Sequence, residues 1–195
     1  QTYKNVDSAI FLDGMDFWND KRGIIFGDPI QNRMQLLSTI DGGKSWQNIS
    51  SNLNFSLAAG EAGFAASGTT IRAQGNGKVW IATGGTTSNI YTSDDYGKTW
   101  EVFKCPILKG ESSTGPFSMA FLDKNRGVVV GGNYLKDTEN VNNVLLTING
   151  GRSWYRPKKP VDGYRSGVTY ISPKVLVATG SSGTDLSVDG GVNWY

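Results

Sequence analysis

The sequence predicts an all-β fold, a β-propeller with about four four-stranded blades, and three observations support this prediction. A nine-residue stretch that ends in tryptophan occurs four times, so that the repeats are 40 to 54 residues long. Before each copy, two segments rich in β-branched and aromatic residues flank a short polar turn. No segment has a helical period with capping residues. Repeats of this kind are typical of propeller blades, small sheets that bury their faces against one another.

The nine-residue stretches, called boxes here, read "STIDGGKSW", "TSDDYGKTW", "LTINGGRSW" and "LSVDGGVNW". We expect each box to form the hairpin between the third and fourth strands of its blade. The Asp should accept hydrogen bonds from turn amides, the Gly should adopt a positive φ, and the Trp should pack between strands. Asn149 replaces Asp in the third box and keeps an acceptor oxygen. The residues with this structural role are Thr39, Asp41, Gly43, Trp46, Ser93, Asp95, Gly97, Trp100, Thr147, Asn149, Gly151, Trp154, Ser187, Asp189, Gly191 and Trp194.

A catalytic or calcium-binding role for the box acids is the competing hypothesis. The structural interpretation is favoured because four equivalent sites rarely all perform chemistry. The chain is expected to be a single domain over residues 1–195. Its blades are expected at residues 8–51, 68–104, 116–158 and 164–195.

Composition excludes several classes of function. The chain has 195 residues, a net charge of +2, no histidine and a single cysteine, Cys105. The small net charge does not indicate nucleic-acid binding, and no run of apolar residues is long enough to span a membrane. Histidine-based catalysis and histidine-ligated metal are excluded, and one cysteine forms no internal disulfide. We therefore expect no metal and no cofactor, and a buried thiol at Cys105.

The boxes resemble the Asp-box, or BNR repeat, of sialidase-like β-propellers. Longer segments such as "FWNDKRGIIFGDP" and "PFSMAFLDKNRGVVVGGNY" are similar to a bacterial propeller family. Members of that family are labelled oxidoreductases or related to the photosystem II stability and assembly factor. The resemblance implies that the chain belongs to a larger propeller of six to eight blades, with Gln1–Asn5 as the end of an earlier blade. We also expect a secreted or periplasmic location.

Propellers commonly bind ligands over the central channel, on the face opposite the boxes. That face should be built from the loops between second and third strands and from the connections between blades. Arginine there can clamp a carboxylate or phosphate, and two facing carboxylates can act as acid and base. The alternative is that these side chains close turns or form surface ion pairs. The candidate ligand-binding residues are Asp28, Glu61, Tyr164, Arg165 and Asp185, with Glu111 and Tyr134 nearby.

Three functions remain open at this point. The first is a non-catalytic binding or assembly propeller with a protein or carbohydrate ligand, favoured because catalytic equipment is missing. The second is a sialidase-like glycoside hydrolase using Glu61 and Tyr164-Arg165, although the Arg-Ile-Pro signature of that class is absent from the sequence. The third is the labelled oxidoreductase, for which the sequence has no Gly-x-Gly-x-x-Gly or Cys-x-x-Cys motif. Exposed flanks of an open set of blades predict aggregation or dimerisation in isolation.

Overall fold

The computed structural model describes residues 3–4 and 9–195, which form four antiparallel sheets in succession along the chain. These sheets are blades of a β-propeller, as the sequence predicts. The described residues contain one short 3-10 turn, Ser50–Asn52, and no helix that is long and apolar enough to cross a membrane. The expected start of the first blade at Ser8, and most of the expected earlier blade at residues 1–5, lie outside the described residues.

The first two blades each have four strands in chain order. Blade 1 consists of β1 (Leu12–Phe17), β2 (Gly23–Ile30), β3 (Arg33–Thr39) and β4 (Gln47–Asn48). A short strand in the connection that follows, β5 (Glu61–Ala62), pairs with the far end of β7 in the next blade. Blade 2 consists of β6 (Ile71–Gln74), β7 (Lys78–Gly85), β8 (Asn89–Ser93) and β9 (Glu101–Lys104).

The last two blades have three full strands each. Blade 3 consists of β10 (Thr114–Phe121), β11 (Gly127–Asn133) and β12 (Val144–Thr147), and blade 4 of β13 (Gly167–Tyr170), β14 (Leu176–Gly180) and β15 (Gly183–Ser187).

The fourth strand of these two blades is reduced to single pairings, Leu146 with Tyr155 and Leu186 with Tyr195. In blade 3 the reason is partly local and partly a contact with blade 4. Pro157 has no N–H to donate, and the amides of Lys158 and Lys159 donate to Val192 of blade 4 instead of to β12.

Alternating side chains bury both faces of the central strands. In β7, Val79 and Ile81 pack against blade 1, whereas Trp80 and Ala82 pack against blade 3. Successive side chains of a strand point to opposite faces, so one strand supplies two interblade cores. The innermost strands β1, β6, β10 and β13 contact one another in sequence, which places the four blades side by side around the axis. Burial on both faces explains why second strands such as β7 and β11 contain continuous apolar runs.

The four boxes form hairpins with the same hydrogen bonds. The Ser or Thr hydroxyl oxygen accepts from the amide of the Gly four residues later, at 2.9 to 3.0 Å. The same hydroxyl donates to the Asp or Asn, whose oxygen accepts from the amide of the residue before the Trp at 2.8 to 2.9 Å. The Gly has φ between 79° and 93°, a backbone conformation that strains other residues.

Each later box also packs against the blade that precedes it. Gly97 lies beside Ile24 and Ile49 of blade 1, and Gly191 lies beside Leu146 of blade 3. The indole N–H of Trp80 in blade 2 donates to the carbonyl of Gly150 in the third box at 2.8 Å. The boxes therefore join neighbouring blades as well as closing their own hairpins.

The boxes define one face of the propeller. In every blade a box amide donates at 2.8 to 3.0 Å to a carbonyl of the turn between the first and second strands. Boxes and first turns therefore share one end, named the box face. Because the strands are antiparallel, the loops between second and third strands lie at the opposite end. This opposite end, formed by residues 27–33, 84–89, 132–143 and 180–185 with the connections 56–63, 108–115 and 161–167, is named the loop face.

Candidate functional site

Backbone hydrogen bonds join the connections of the loop face to its loops. The amide of Leu57 donates to Asn32 of blade 1 at 2.9 Å, and the amide of Thr86 in blade 2 donates to Gly60 at 3.1 Å. Between blades 3 and 4, the amide of Tyr164 donates to Asp137 at 2.7 Å. Each connection is thereby tied to a blade beside it, so the loop face is an ordered frame.

Glu61 is the most completely bonded side chain of the predicted site. It is 2% exposed, and its Oε1 accepts from Thr83 Oγ1 at 2.5 Å, Asn89 Nδ2 at 2.8 Å and the Tyr91 hydroxyl at 3.0 Å. Its Oε2 accepts from the amide of Ala58 at 2.9 Å. Burial, together with the neighbouring Glu61 charge, raises the pKa of Tyr91 above its ordinary value. The carboxylate thus fastens the connection before blade 2 onto β7 and β8.

Arg165 and Asp185 form a buried ion pair between blades 3 and 4. Arg165 Nε and Nη2 lie 2.6 and 2.5 Å from Asp185 Oδ2, and Arg165 is 2% exposed. Its Nη1 donates to Ser182 Oγ at 2.6 Å and to the Tyr164 carbonyl at 2.9 Å. The sequence leaves open a ligand clamp or a surface ion pair at this arginine. The structure places it instead in an internal pair, with its donors directed at the protein.

Asp28 lies beside an acid that the sequence reasoning did not select, Asp13. The amide of Gly63 donates to Asp28 Oδ1 at 3.0 Å, and a Cβ added to Gly63 would collide with Asp13 Oδ2. Asp13 is 6% exposed, and its Oδ2 accepts no hydrogen bond from the described residues. Burial, and then the charge of Asp28, raise the pKa of Asp13 from 3.8 to about 7. Asp13 lies in β1, which contacts both β2 and β6. The available sequence signal was an acidic residue inside such a strand.

An aromatic cluster reaches the surface of the loop face. Phe117 lies at its centre, with ring centroids 4.1 Å from Phe64, 4.9 Å from Tyr164 and 6.0 Å from Tyr134. Burial raises the pKa of Tyr164 to about 12. Tyr134 is 47% exposed, and its neighbour Leu135 is 72% exposed. The cluster, defined as Phe64, Phe117, Tyr134 and Tyr164, therefore presents apolar surface at the loop face on a packed base.

Glu111 provides polar surroundings for this cluster. Its Oε1 lies 3.0 Å from Lys136 Nζ, and its Oε2 accepts from Asn133 Nδ2 at 3.2 Å. The ammonium group of Lys136 lowers the pKa of Glu111, and both side chains are exposed. This pair is a surface ion pair beside the loop that carries Tyr134.

The five candidate residues do not converge on one site. Tyr164 and Arg165 lie in the connection before blade 4, and Arg165 pairs with Asp185 of β15. Glu61 bonds instead to blade 2, and Asp28 lies beside Asp13 in blade 1. Within the described part of the chain, no group of three or more acids and cysteines is arranged to hold a metal ion. Cys105 is buried, and burial raises the pKa of its thiol to about 11, so the thiol is neutral at ordinary pH.

No protein-family model and no curated protein matches the chain. Among solved structures it is similar to "YCF48 bound to D1 peptide", with a TM-score of 0.63 and 19% identity over 95% of this chain and 52% of that one. YCF48 from Cyanidioschyzon merolae follows, with a TM-score of 0.57 and 18% identity over 98% of this chain and 57% of that one. A GH74 xyloglucanase from Xanthomonas campestris gives a TM-score of 0.47 and 16% identity, over 88% of this chain and 28% of that one.

The chain thus spans between half and three fifths of the two YCF48 structures. At these identities the likeness establishes the propeller fold. The Asp-box name and the oxidoreductase label stay predictions, because these comparisons do not bear on them.

Proposed function

We propose that this chain is part of a non-catalytic binding propeller whose loop face docks an extended segment of a protein partner. The observation that carries the proposal is the aromatic cluster, which is packed at its base and exposed at Tyr134 and Leu135. The docked segment would lie across these two side chains.

The ionisable groups of the loop face argue against catalysis there. Both oxygens of the Glu61 carboxylate accept hydrogen bonds from the protein, and Arg165 is neutralised by Asp185. A general acid or a substrate clamp needs a proton or a donor that the substrate can reach. These groups instead hold connections onto blades, which gives a rigid frame to the apolar surface between them.

The exposed part of the cluster has the chemistry of a protein interface. Tyrosine combines a large apolar ring with a hydroxyl group and has few rotamers to lose, which is why it is enriched at interface centres. The exposed Leu135 extends the apolar patch, and the Glu111–Lys136 pair supplies a polar rim. Such a surface suits apolar side chains of a peptide better than a highly hydroxylated sugar chain.

The structural comparison supports this proposal at the level of the fold. The YCF48 structure with a TM-score of 0.63 was solved with a D1 peptide bound. A propeller of this kind is therefore compatible with peptide binding.

A random peptide library panned against the immobilised chain tests the proposal. Enriched peptides would be titrated by fluorescence anisotropy against the wild type, Tyr134→Ala and Tyr155→Ala. Tyr155 is the matched control, because it is 46% exposed on the outer edge of blade 3, away from the cluster. We expect Tyr134→Ala to weaken binding by about tenfold or more, and Tyr155→Ala to leave it unchanged. Failure to enrich any peptide, or equal losses in both variants, would contradict the proposal.

A further inference from the structure

The box face carries a cavity at the other end of the innermost strands. This cavity of about 270 Å³ opens between the innermost strands of all four blades. Its walls include Asp16 of β1, Arg72 and Gln74 of β6, Phe121 of β10 and Tyr170 of β13. Asp16, Gln74, Phe121 and Tyr170 lie in the half of their strands that leads to the box face, and Arg72 is two residues before Gln74. The cavity is therefore separate from the aromatic cluster.

Arg72 brings an unneutralised cation to this cavity. Its Nε donates to the carbonyl of Met119 in blade 3 at 2.8 Å, which fixes the plane of the guanidinium group. Within the described residues, its terminal nitrogens donate to no partner and lie in no ion pair. A fixed guanidinium with both terminal nitrogens available matches the two oxygens of a carboxylate.

Asp16 lines the same cavity, but among the described residues no ion pair joins its carboxylate to Arg72. Oδ1 accepts from the amide of Phe17 and Oδ2 from the amide of Ala73, both at 2.8 Å. These amides stabilise the carboxylate without drawing Arg72 into a salt bridge. The charge of the guanidinium group consequently remains available to a ligand.

Gln74 brings an acceptor that is also unused. Its Oε1 is buried and accepts no hydrogen bond from any part of the chain that the structure describes. A buried acceptor without a donor loses its hydrogen bonds to water without replacing them, so such an atom needs a physical reason. Arg72 and Gln74 are two positions apart on β6, so their side chains leave the same face of the strand about 7 Å apart. A cation and an orphan acceptor thus stand side by side.

We propose that this cavity binds a small carboxylic acid with a hydroxyl or amino group beside the carboxylate. The carboxylate would accept two hydrogen bonds from Arg72, and the hydroxyl or amino group would donate to Gln74 Oε1 after the side-chain amide turns this buried oxygen toward the cavity. The volume lies just below the range of about 300–1,000 Å³ that holds drug-sized ligands, which restricts the ligand to a small molecule. Phe121 and Tyr170 contribute aromatic rings to the walls of the cavity.

Isothermal titration calorimetry of the purified chain with L-lactate and L-alanine tests this site. Methyl L-lactate is the uncharged control, because it keeps the hydroxyl group of lactate and lacks the carboxylate. Inorganic phosphate tests for general anion binding. We expect at least one acid to bind saturably, with the ester and phosphate at least about tenfold weaker. No saturable binding of either acid, or phosphate binding as tight as the acid, would overturn the proposal.

Variants at both side chains separate recognition from structure. Arg72→Met should weaken acid binding by about tenfold or more, whereas Arg33→Met, an exposed arginine on the loop face, should not change it. Arg72→Lys keeps the charge and serves as the second variant if Arg72→Met fails to fold. Gln74→Leu should weaken binding without lowering the melting temperature, because the atom it removes has no partner in the described chain. Unchanged affinity in the folded Arg72 and Gln74 variants would refute the assignment.

Discussion

The guanidinium group of Arg165 and the carboxylate of Asp185 are 2.6 Å apart and buried together between blades 3 and 4. The ion pair joins two residues that are twenty positions apart in the sequence, one in the connection before blade 4 and one in β15. The sequence marks both residues as ligand-binding candidates. In the structure their ion pair holds the connection before blade 4 onto that blade. This role leads to a prediction about stability.

Replacing Arg165 with Met should destabilise the chain by about 3–5 kcal/mol, because it leaves the Asp185 charge buried without a partner. The double variant Arg165→Met/Asp185→Leu should recover much of this loss, since a well-packed apolar pair avoids the desolvation of both charges. Urea denaturation of the two variants and the wild type measures the difference. A single variant within about 0.5 kcal/mol of the wild type would show that the pair contributes little to the fold.

The third box provides an internal comparison for the aspartates of the other boxes, because Asn149 makes the same hydrogen bonds within its turn. Asp95→Asn should be nearly neutral, since its amide can donate to Thr99 Oγ1 as Asn149 donates to Ser153 at 2.8 Å. Asp95→Ala leaves the amides of Lys98 and Thr99 without their acceptor and should cost about 1–2 kcal/mol.

Thermal denaturation of both Asp95 variants checks this prediction. Asp94→Ala is the control, because Asp94 lies in the same turn, is 66% exposed and, among the described residues, pairs only with Lys78. Equal losses for Asp95→Asn and Asp95→Ala would mean that charge, rather than the acceptor geometry, holds the hairpin.

Glu61→Gln tests whether this carboxylate is structural or catalytic. A glutamine has one acceptor oxygen, so its amide group must face either the donor from Ala58 or the three donors at Oε1. The expected loss of unfolding free energy is about 2–3 kcal/mol. Glu101→Gln, at an exposed pair with Arg152, should change stability by less than about 0.5 kcal/mol.

An enzymatic assay sharpens the Glu61 test, because the residue also borders a recess of about 300 Å³. The wild-type chain would be assayed on a panel of sialosides and β-glucans beside the variant. We expect no turnover by either. Turnover that Glu61→Gln abolishes while the variant stays folded would contradict the binding function.

The sequence predicted the fold because its repeats carry local information. Strand alternation places Val79 and Trp80 on opposite faces of β7, and both positions are apolar since both faces meet a blade. The box turns depend on contacts within nine residues, and such contacts can be inferred from residue types alone. The shortened fourth strand of blade 3 was harder to foresee, because it depends on Lys158 and Lys159 bonding to another blade.

The surroundings of the candidate site residues could not be predicted, because they depend on partners that are distant in the sequence. The three side chains that donate to Glu61 Oε1 lie 22 to 30 positions away in the sequence, at Thr83, Asn89 and Tyr91. No pattern near Glu61 indicates that they are its partners. A lone acid in a connection looks the same whether it faces solvent or three donors. Phe64 and Phe117 have no sequence signal that sets them apart for a related reason, since only tertiary packing brings their rings together.

Asp13 should make the stability of the chain fall as pH rises from about 4 to about 7. Its pKa is about 7 in the folded chain and 3.8 ordinarily, so between these values the folded state holds a proton that the unfolded state has lost. The loss is complete above the folded pKa and is on the order of 2–4 kcal/mol. Asp13→Asn removes this titration and can donate to the neighbouring Asp28. The variant should therefore be more stable than the wild type near pH 8 and similar to it near pH 4.5.

Melting temperatures of both proteins between about pH 4.5 and pH 8 measure this effect. That range avoids the box aspartates, because hydrogen bonds lower the pKa of Asp41 to about 2 and their stabilisation is lost only in stronger acid. Asp20→Asn, on the exposed turn after β1, is the control and should follow the wild type at every pH. Parallel curves for Asp13→Asn and the wild type would mean that Asp13 is ionised in the folded chain, and the carboxyl pair beside Gly63 would then need a compensating cation.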